Sequence, residues 1–127
     1  MICVDSSALV AIILREPLAD RCAVALAAEA DVLISAATLT EALIVATGRG
    51  LEDEMSRLIE SAKLTVIEVT KVSAIRAADA HRLWGKGRHR AGLNYGDCFS
   101  YELASRHGCP LLYIGNDFSK TDIESVL

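Results

Sequence analysis

Four short segments rich in apolar and β-branched residues recur along the chain, and pairs of longer segments with helical periodicity separate them. The short segments are Ile2–Val4, Val32–Ser35, 65–69 and 111–114. Strands that are apolar throughout, rather than at alternate residues, are typical of parallel sheets covered by helices on both faces. The pattern therefore predicts an α/β fold, a three-layer α/β/α sandwich with a central, mainly parallel twisted sheet of four to five strands.

Each gap between these strands holds two segments whose apolar residues recur at helical spacing. The predicted helices cover residues 6–15, 18–29, 38–47, 51–62, 72–84 and 97–107. In the fifth helix, the residues expected to face the core are Val72, Ile75, Ala78 and Leu83. No repeat, low-complexity tract or linker interrupts the series, so residues 1–127 are expected to form one domain.

Composition narrows the class of protein further. Hydrophobic residues make up 52% of the chain and charged residues 24%, which is typical of a folded globule. No apolar run approaches the roughly 20 residues that span a bilayer, and the start lacks signal-peptide features, so we expect a cytoplasmic protein outside the membrane. The cysteines form neither a CxxC motif nor a Cys/His ladder, which favours free buried thiols over a disulfide or a zinc site. They are Cys3, Cys22, Cys98 and Cys109.

Four acidic residues stand out, and each has an ordinary structural explanation. Asp5 precedes a predicted helix and could be its N-cap, which contributes about 1 kcal/mol. Glu41 follows Thr38 at the spacing of a capping box. Asp97 heads a predicted helix, and Asp117 lies in a predicted turn. Taken singly, each acid is explained by local structure.

Their joint arrangement indicates something more, because all four fall at the carboxyl ends of strands or at the start of the adjoining helices. In an open parallel sheet these positions meet at one edge. Two carboxylates about 4 Å apart repel by about 4 kcal/mol at an effective dielectric of about 20, which exceeds the gain from a cap. Either the acids are spread apart, some bind a proton, or a divalent cation holds them together. Oxygen ligands without Cys or His favour Mg²⁺ or Mn²⁺ over Zn²⁺.

Four motifs in register along the chain resemble those of the PIN-domain ribonucleases of the VapC toxin type. They read VDSSALVAI, TLTEALIVA, LNYGDCFSYELA and LLYIGNDFSKTDI. The resemblance covers essentially the whole chain and implies a PIN-like fold. It also implies an Mg²⁺- or Mn²⁺-dependent endoribonuclease that acts as the toxin of a bacterial toxin–antitoxin pair. RNA would be the substrate, a small antitoxin protein the partner, and a homodimer the expected assembly.

The resemblance also assigns roles to residues. The catalytic and metal-binding acids would be Asp5, Glu41, Asp97 and Asp117. Apart from the resemblance, Ser6 at the start of the first helix could hold a metal-bound water, and Asn116 could support the site from beside Asp117. The last motif often reads GDDF in the family, whereas residues 115–118 read GNDF here. Asn116 keeps an oxygen ligand and loses a charge, which reduces the expected affinity for a second ion.

A basic stretch precedes Asp97. The formal net charge of -4 argues against adhesion of the whole surface to nucleic acid, but residues 80–96 contain no acid. Their basic side chains are Arg82, Lys86, Arg88 and Arg90. This stretch could contact RNA phosphates or could simply be a solvated loop. Trp84 or Tyr95 could stack an unpaired base, although Trp84 could instead be packed inside.

Two alternative functions remain open at this point. A phosphoacceptor receiver-like signalling domain also gathers acids at one sheet edge, but it needs a lysine on a neighbouring strand end. The nearest candidate, Lys120, lies beyond the turn after the last strand. The other alternative is a non-catalytic binding module whose acids act only as helix caps.

Overall fold

The computed structural model describes all residues from Met1 to Leu127, around a sheet of four parallel strands in the order β3-β2-β1-β4. The strands are β1 (Ile2–Val4), β2 (Val32–Ser35), β3 (Thr65–Ile67) and β4 (Leu111–Leu112). In the central register, Cys3 pairs with Leu33 on one side and with Leu111 on the other. The C-terminal segment adds to the β4 edge, where the Leu111 N–H donates to the Glu124 carbonyl at 2.9 Å. The predicted parallel sheet is confirmed.

Six α-helices and one short 3₁₀-helix connect and cover these strands. The α-helices are α1 (Ser6–Ile13), α2 (Ala19–Ala28), α3 (Ala36–Gly48), α4 (Glu52–Ser61), α5 (Lys71–Trp84) and α6 (Tyr95–His107). The 3₁₀-helix spans Phe118–Lys120. None of the helices is long and apolar enough to cross a membrane.

Two apolar clusters occupy opposite faces of the sheet, which confirms the three-layer prediction. Along β1, Ile2 and Val4 belong to the cluster under α1–α4, whereas Cys3 belongs to the cluster under α5 and α6. This division follows from the alternation of side chains along a strand. A strand covered on both faces must be apolar at every position, as the sequence of β1 indicates.

The start of α3 differs from the prediction. The helix begins at Ala36, because the Ser35 hydroxyl accepts a hydrogen bond from the Ala37 N–H at 3.2 Å and caps the end directly after β2. Thr38 and Glu41 therefore lie within the helix, and the predicted capping box between them was wrong. This shift leaves the side chains of both residues available for other contacts.

The exposed and buried faces of α5 were also predicted incorrectly. Val72, Ile75 and Leu83 are 56%, 54% and 53% exposed, and Ala78 is exposed as well. The residues that α5 buries are Ser73, Ala77 and Ala80. Small side chains along this line let α5 lie close to α6, and the Ser73 hydroxyl is satisfied in a capping box with Thr70. The size of the α5 side chains that face α6, rather than their hydrophobicity, determined which face of α5 is buried.

All four cysteines are free, as predicted. Cys3, Cys22 and Cys98 are buried, and Cys109 is half-buried with its sulfur 3.2 Å from that of Cys3. Burial raises the pKa of each of the three buried thiols, that of Cys98 to about 11. These thiols are therefore neutral at physiological pH and pack as small apolar groups.

Candidate active site at the carboxyl edge of the sheet

Asp5 lies directly after β1, in the middle of the carboxyl edge of the sheet. Its backbone N–H donates to the Leu112 carbonyl at 2.9 Å, which continues the pairing of β1 with β4. Its side chain caps α1 by accepting a hydrogen bond from the Ser7 N–H at 3.1 Å. The residue is only 3% exposed. Asp5 is thus a helix cap, as the structural explanation predicted, and also a buried carboxylate at the edge where parallel-sheet proteins bind ligands.

A second helix holds the same carboxylate. The Ser100 hydroxyl of α6 donates to Asp5 Oδ1 at 2.5 Å, and Thr38 Oγ1 of α3 lies 3.1 Å from Ser100 Oγ. Because the Ser100 proton is used by Asp5, the Thr38 hydroxyl is the donor to Ser100. All three side chains are buried. Sequence reasoning missed Ser100 and Thr38, although each lies three residues from a candidate acid on the same helix.

Glu41 projects from α3 toward the start of α1 and the start of α6. The Ser6 hydroxyl donates to Glu41 Oε1 at 2.5 Å. On the other side, a Cβ built on Gly96 would overlap the Glu41 carboxylate. Any larger residue at position 96 would therefore displace the Glu41 carboxylate from this place, a role of Gly96 that sequence reasoning also missed. Ser6 was predicted to hold a metal-bound water, which stays a prediction, and the structure adds the contact of its hydroxyl with Glu41.

Asp97 is the most perturbed acid of the site. It forms a capping box with Asn94, in which the Asn94 N–H donates to Asp97 Oδ2 at 3.0 Å and the Asp97 N–H donates to Asn94 Oδ1 at 2.9 Å. Burial raises the pKa of Asp97 to about 7 against the lowering effect of the Asn94 hydrogen bond. The charges of Asp5, Asp117 and Glu41 also contribute to this raised pKa, each less than burial does.

Asp117 completes the group from the exposed side. It precedes the 3₁₀-helix and its side chain makes no capping hydrogen bond. The Ile114 N–H donates to the Ser7 hydroxyl at 3.0 Å, which ties the segment after β4 to the first turn of α1. Asn116 is exposed, and its carbonyl accepts a hydrogen bond from Ser119. The structure therefore places Asp5, Glu41 and Asp117 close enough to Asp97 for their charges to raise its pKa, and Asn116 is exposed beside Asp117.

The chemistry of this group fits a hard divalent cation. None of the four acids forms a salt bridge, since those in the chain involve Glu29, Glu54, Asp79 and Glu102. The donors are all oxygens. No group of three acidic, histidine or cysteine side chains is placed closely enough to hold a metal ion by itself. An ion at this edge would therefore also need water or substrate oxygens as ligands, which Mg²⁺ and Mn²⁺ accept.

The basic stretch divides between a helix and a loop. Arg82 lies on α5 with its guanidinium 3.8 Å from the Asp79 carboxylate. Lys86, Arg88 and Arg90 are exposed on the loop between α5 and α6. The Lys86 N–H donates to the Leu93 carbonyl at 2.9 Å, so the loop is closed at its base, beside the Asn94 cap of α6. Three of the four cations are thus carried on the segment that leads into Asp97.

The two aromatic candidates differ in availability. Trp84 is half-buried, and its indole N–H donates to the Tyr101 hydroxyl at 3.0 Å, while His89 packs against its ring. This agrees with the alternative in which Trp84 is packed inside. Tyr95, by contrast, is 80% exposed at the first position of α6.

Asp97→Asn is expected to stabilise the metal-free protein, and to do so more at pH 8 than at pH 5. The raised pKa means that folding favours the protonated acid, so this group's contribution is present below pH 4 and is lost as the pH rises to about 7. Each unit of pKa shift corresponds to about 1.4 kcal/mol. Thermal denaturation in EDTA at both pH values measures the difference, with Asp53→Asn on the exposed face of α4 as the matched control. The raised pKa of Asp97 would be contradicted if the difference in stability between Asp97→Asn and the wild type did not increase from pH 5 to pH 8.

Comparison with known proteins agrees with the geometry. The profile of the family described as PIN domain matches residues 2–124. VapC ribonuclease Mb0640 of Mycobacterium bovis is 44% identical, over 97% of this chain and 96% of its own. Among solved structures, VapC20 of Mycobacterium tuberculosis, described as a sarcin–ricin loop cleaving toxin, has a TM-score of 0.80 at 19% identity and covers 99% of this chain and 98% of its own.

A toxin–antitoxin complex from Klebsiella pneumoniae has a TM-score of 0.71 at 19% identity, covering 96% of this chain and 93% of its own. At these identities the solved structures speak to the fold alone. The family profile and the 44% identical relative span nearly the whole chain. With its acidic carboxyl edge on a parallel sheet, the chain belongs to the PIN-domain family, among the VapC ribonucleases.

Proposed function

We propose that this VapC ribonuclease hydrolyses RNA phosphodiester bonds as the toxin of a bacterial toxin–antitoxin pair, with Mg²⁺ or Mn²⁺ as cofactor. The observation that carries the proposal is the buried Asp97 carboxyl, which lies within range of three further acids and has no cation partner in the chain. The family match makes the receiver-like alternative unnecessary. The capping alternative is compatible with the proposal, because Asp5 caps α1 and Asp97 completes the capping box of α6, and these roles leave both acids free to act in one site.

Asp5 and Asp97 would hold the principal ion, and Glu41 and Asp117 would complete its surroundings directly or through water. When bound, the ion would polarise the scissile phosphate, lower the pKa of an attacking water and offset charge on the leaving oxygen. The chain's own contribution is orientation. Ser7 and Ser100 fix the Asp5 carboxylate, and Ser6 fixes one Glu41 oxygen. Each carboxylate oxygen has two lone pairs, so these hydrogen bonds leave acceptor capacity for an ion.

Asn116 bears on the number of ions. It stands at the rim of the site beside Asp117, where many family members resembling this chain carry a second acid. Because the amide adds no negative charge, we propose that a second ion binds only with the help of substrate phosphates.

The cations of the 85–93 loop supply attraction that the acids cannot. An acidic site repels RNA, and the chain as a whole carries a net charge of -4. Lys86, Arg88 and Arg90 are exposed and form no salt bridge, so their charge is available to phosphates. Arg82 contributes less in this proposal, because Asp79 lies beside its guanidinium.

The partners follow from the relatives. A solved structural neighbour is itself a toxin–antitoxin complex, which supports a small antitoxin as the partner of this chain. A homodimer is proposed on the family resemblance, and one domain over residues 1–127 remains our prediction. Because the proposed substrate is cellular RNA, we expect the protein to act in the cytoplasm.

Wild-type protein is expected to cleave total bacterial RNA in Mg²⁺ and to lose this activity in EDTA. Asp5→Asn should reduce the rate at least about 100-fold, because the amide keeps the cap and removes the charge that an ion needs. Asp53→Asn, an exposed acid of α4, is the matched control and should retain the wild-type rate. RNA cleavage that persists in EDTA, or in Asp5→Asn at the wild-type rate, would contradict metal-dependent hydrolysis.

Replacing Arg88 and Arg90 together with Gln is expected to weaken RNA binding and to flatten its salt dependence. Each lost phosphate contact lowers the slope of log K against log salt by about 0.7 for single-stranded RNA, so two contacts lower it by about 1.4. Binding is measured in EDTA over a range of salt concentrations. The double replacement of the exposed Arg21 and Arg57 removes the same charge elsewhere and should leave the slope unchanged. If both double variants changed the affinity and the salt slope equally, the proposed contact between the loop and RNA would be contradicted.

A further inference from the structure

We infer that a recess between α5 and α6, next to the acidic site, binds one unpaired nucleobase of the RNA substrate stacked against Tyr95. This subsite rests on the proposed function, since it assigns part of the substrate to a surface that the four acids do not use. Its floor is formed by Ala74, Ala77 and Ala78 of α5. Its walls are formed by Tyr95, Phe99 and His81.

Tyr95 is the first argument for a base. This residue is 80% exposed, whereas Tyr101 and Tyr113 are buried and only 8% exposed. Its ring meets that of Phe99 edge to face, with centroids 5.1 Å apart and planes at 75°. This contact, one helical turn along α6, steadies the ring from below while most of it remains open to solvent. A steadied, exposed aromatic ring is the platform on which single-stranded nucleic acids stack.

The shape and chemistry of the recess are the second argument. Alanines on the floor leave a space that larger side chains would fill, and aromatic rings border it on the α6 side. An unpaired base has an apolar face and a polar edge, and it needs both kinds of contact. The imidazole of His81, half-buried at the wall, has nitrogens that can exchange a hydrogen bond with a base edge.

Position relative to the acids is the third argument. Gly96 follows Tyr95 directly, and its backbone lies against the Glu41 carboxylate. Asp97 is the next residue. Because Tyr95, Gly96 and Asp97 share the first turn of α6, the proposed base subsite and the acidic site lie at the same end of this helix.

Charge selects this occupant over an apolar protein segment. The α5–α6 connection carries Lys86, Arg88 and Arg90, and residues 80–96 contain no acid. A ligand that is both aromatic and anionic satisfies the recess and the cations together, which an apolar helix of a second copy would not. Stacking also adds affinity that phosphate contacts alone do not supply.

The test is binding of a fluorescein-labelled single-stranded RNA of mixed sequence, measured by anisotropy in EDTA at low salt. An oligonucleotide of the same length with abasic riboses serves as the comparison. The wild type is expected to prefer the RNA that carries bases. Tyr95→Ala should weaken binding of that RNA by about 5- to 150-fold, the usual effect of removing the aromatic ring under one stacked base, and leave binding of abasic RNA nearly unchanged. Tyr95→Phe keeps the ring and should bind as the wild type does.

Two further variants separate the recess from a general effect. Ala78→Met is expected to fill the recess and weaken binding of the RNA with bases while Tyr95 stays in place. Val24→Ala, at a 68% exposed residue of α2, is the control and should bind as the wild type does. The inference is overturned if the wild type shows no preference for bases, if Tyr95→Ala weakens both RNAs equally, or if Tyr95→Ala changes the oligomeric state on gel filtration.

RNA cleavage in Mg²⁺ is measured separately on the same preparations, so that the two proposals can fail independently. Base-selective binding that depends on Tyr95, without RNA cleavage by the wild type, would overturn the proposed function and support the subsite. Metal-dependent cleavage without base-selective binding would support the proposed function and overturn the subsite.

Discussion

The rest of the site depends on one constraint, which is that the Asp97 carboxyl group is buried near three other acids. Burial and three neighbouring acids raise its pKa to about 7, and no lysine or arginine of the chain offsets the charge. Such a cluster adds little to stability, since a helix cap such as Asp5 contributes only about 1 kcal/mol. A divalent cation would resolve the conflict, because it would stabilise the ionised forms of the acids.

The fold produces this cluster through topology rather than through any one motif. Parallel strands end at the same edge, so residues that follow β1 and β4 become neighbours although more than 100 positions separate Asp5 from Asp117. Hydrogen bonds between helices then fix the acids at that edge. Ser100 of α6 reaches the Asp5 carboxylate, and Gly96 lets α6 begin against Glu41. The same helix therefore supplies an acid, a positioning hydroxyl and a point of close approach.

The sequence was sufficient to predict the strands and the parallel sheet, whereas the roles of the four acids remain a prediction. Strands such as Ile2–Val4 are apolar at every position, and the carboxyl ends of all the strands in a parallel sheet lie at the same edge. Ser100 and Gly96 were missed because their roles depend on side chains that are distant in sequence. The buried face of α5 was missed because hydrophobicity favoured Val72 and Ile75, whereas close helix packing favoured Ala77 and Ala80. These roles depend on contacts between residues that are far apart in sequence, and a local sequence pattern carries no information about such contacts.

Whether these acids share a cation can be measured as Mn²⁺ binding at pH 8, from the loss of the paramagnetic resonance signal of the free ion. The wild-type chain is expected to bind Mn²⁺, and Asp5→Asn is expected to weaken the affinity at least about tenfold, since one charged ligand is lost. Glu52→Gln, an exposed residue of α4, should bind as the wild type does. No Mn²⁺ binding by the wild type, or equal binding by Asp5→Asn, would contradict the claim that these acids share a cation.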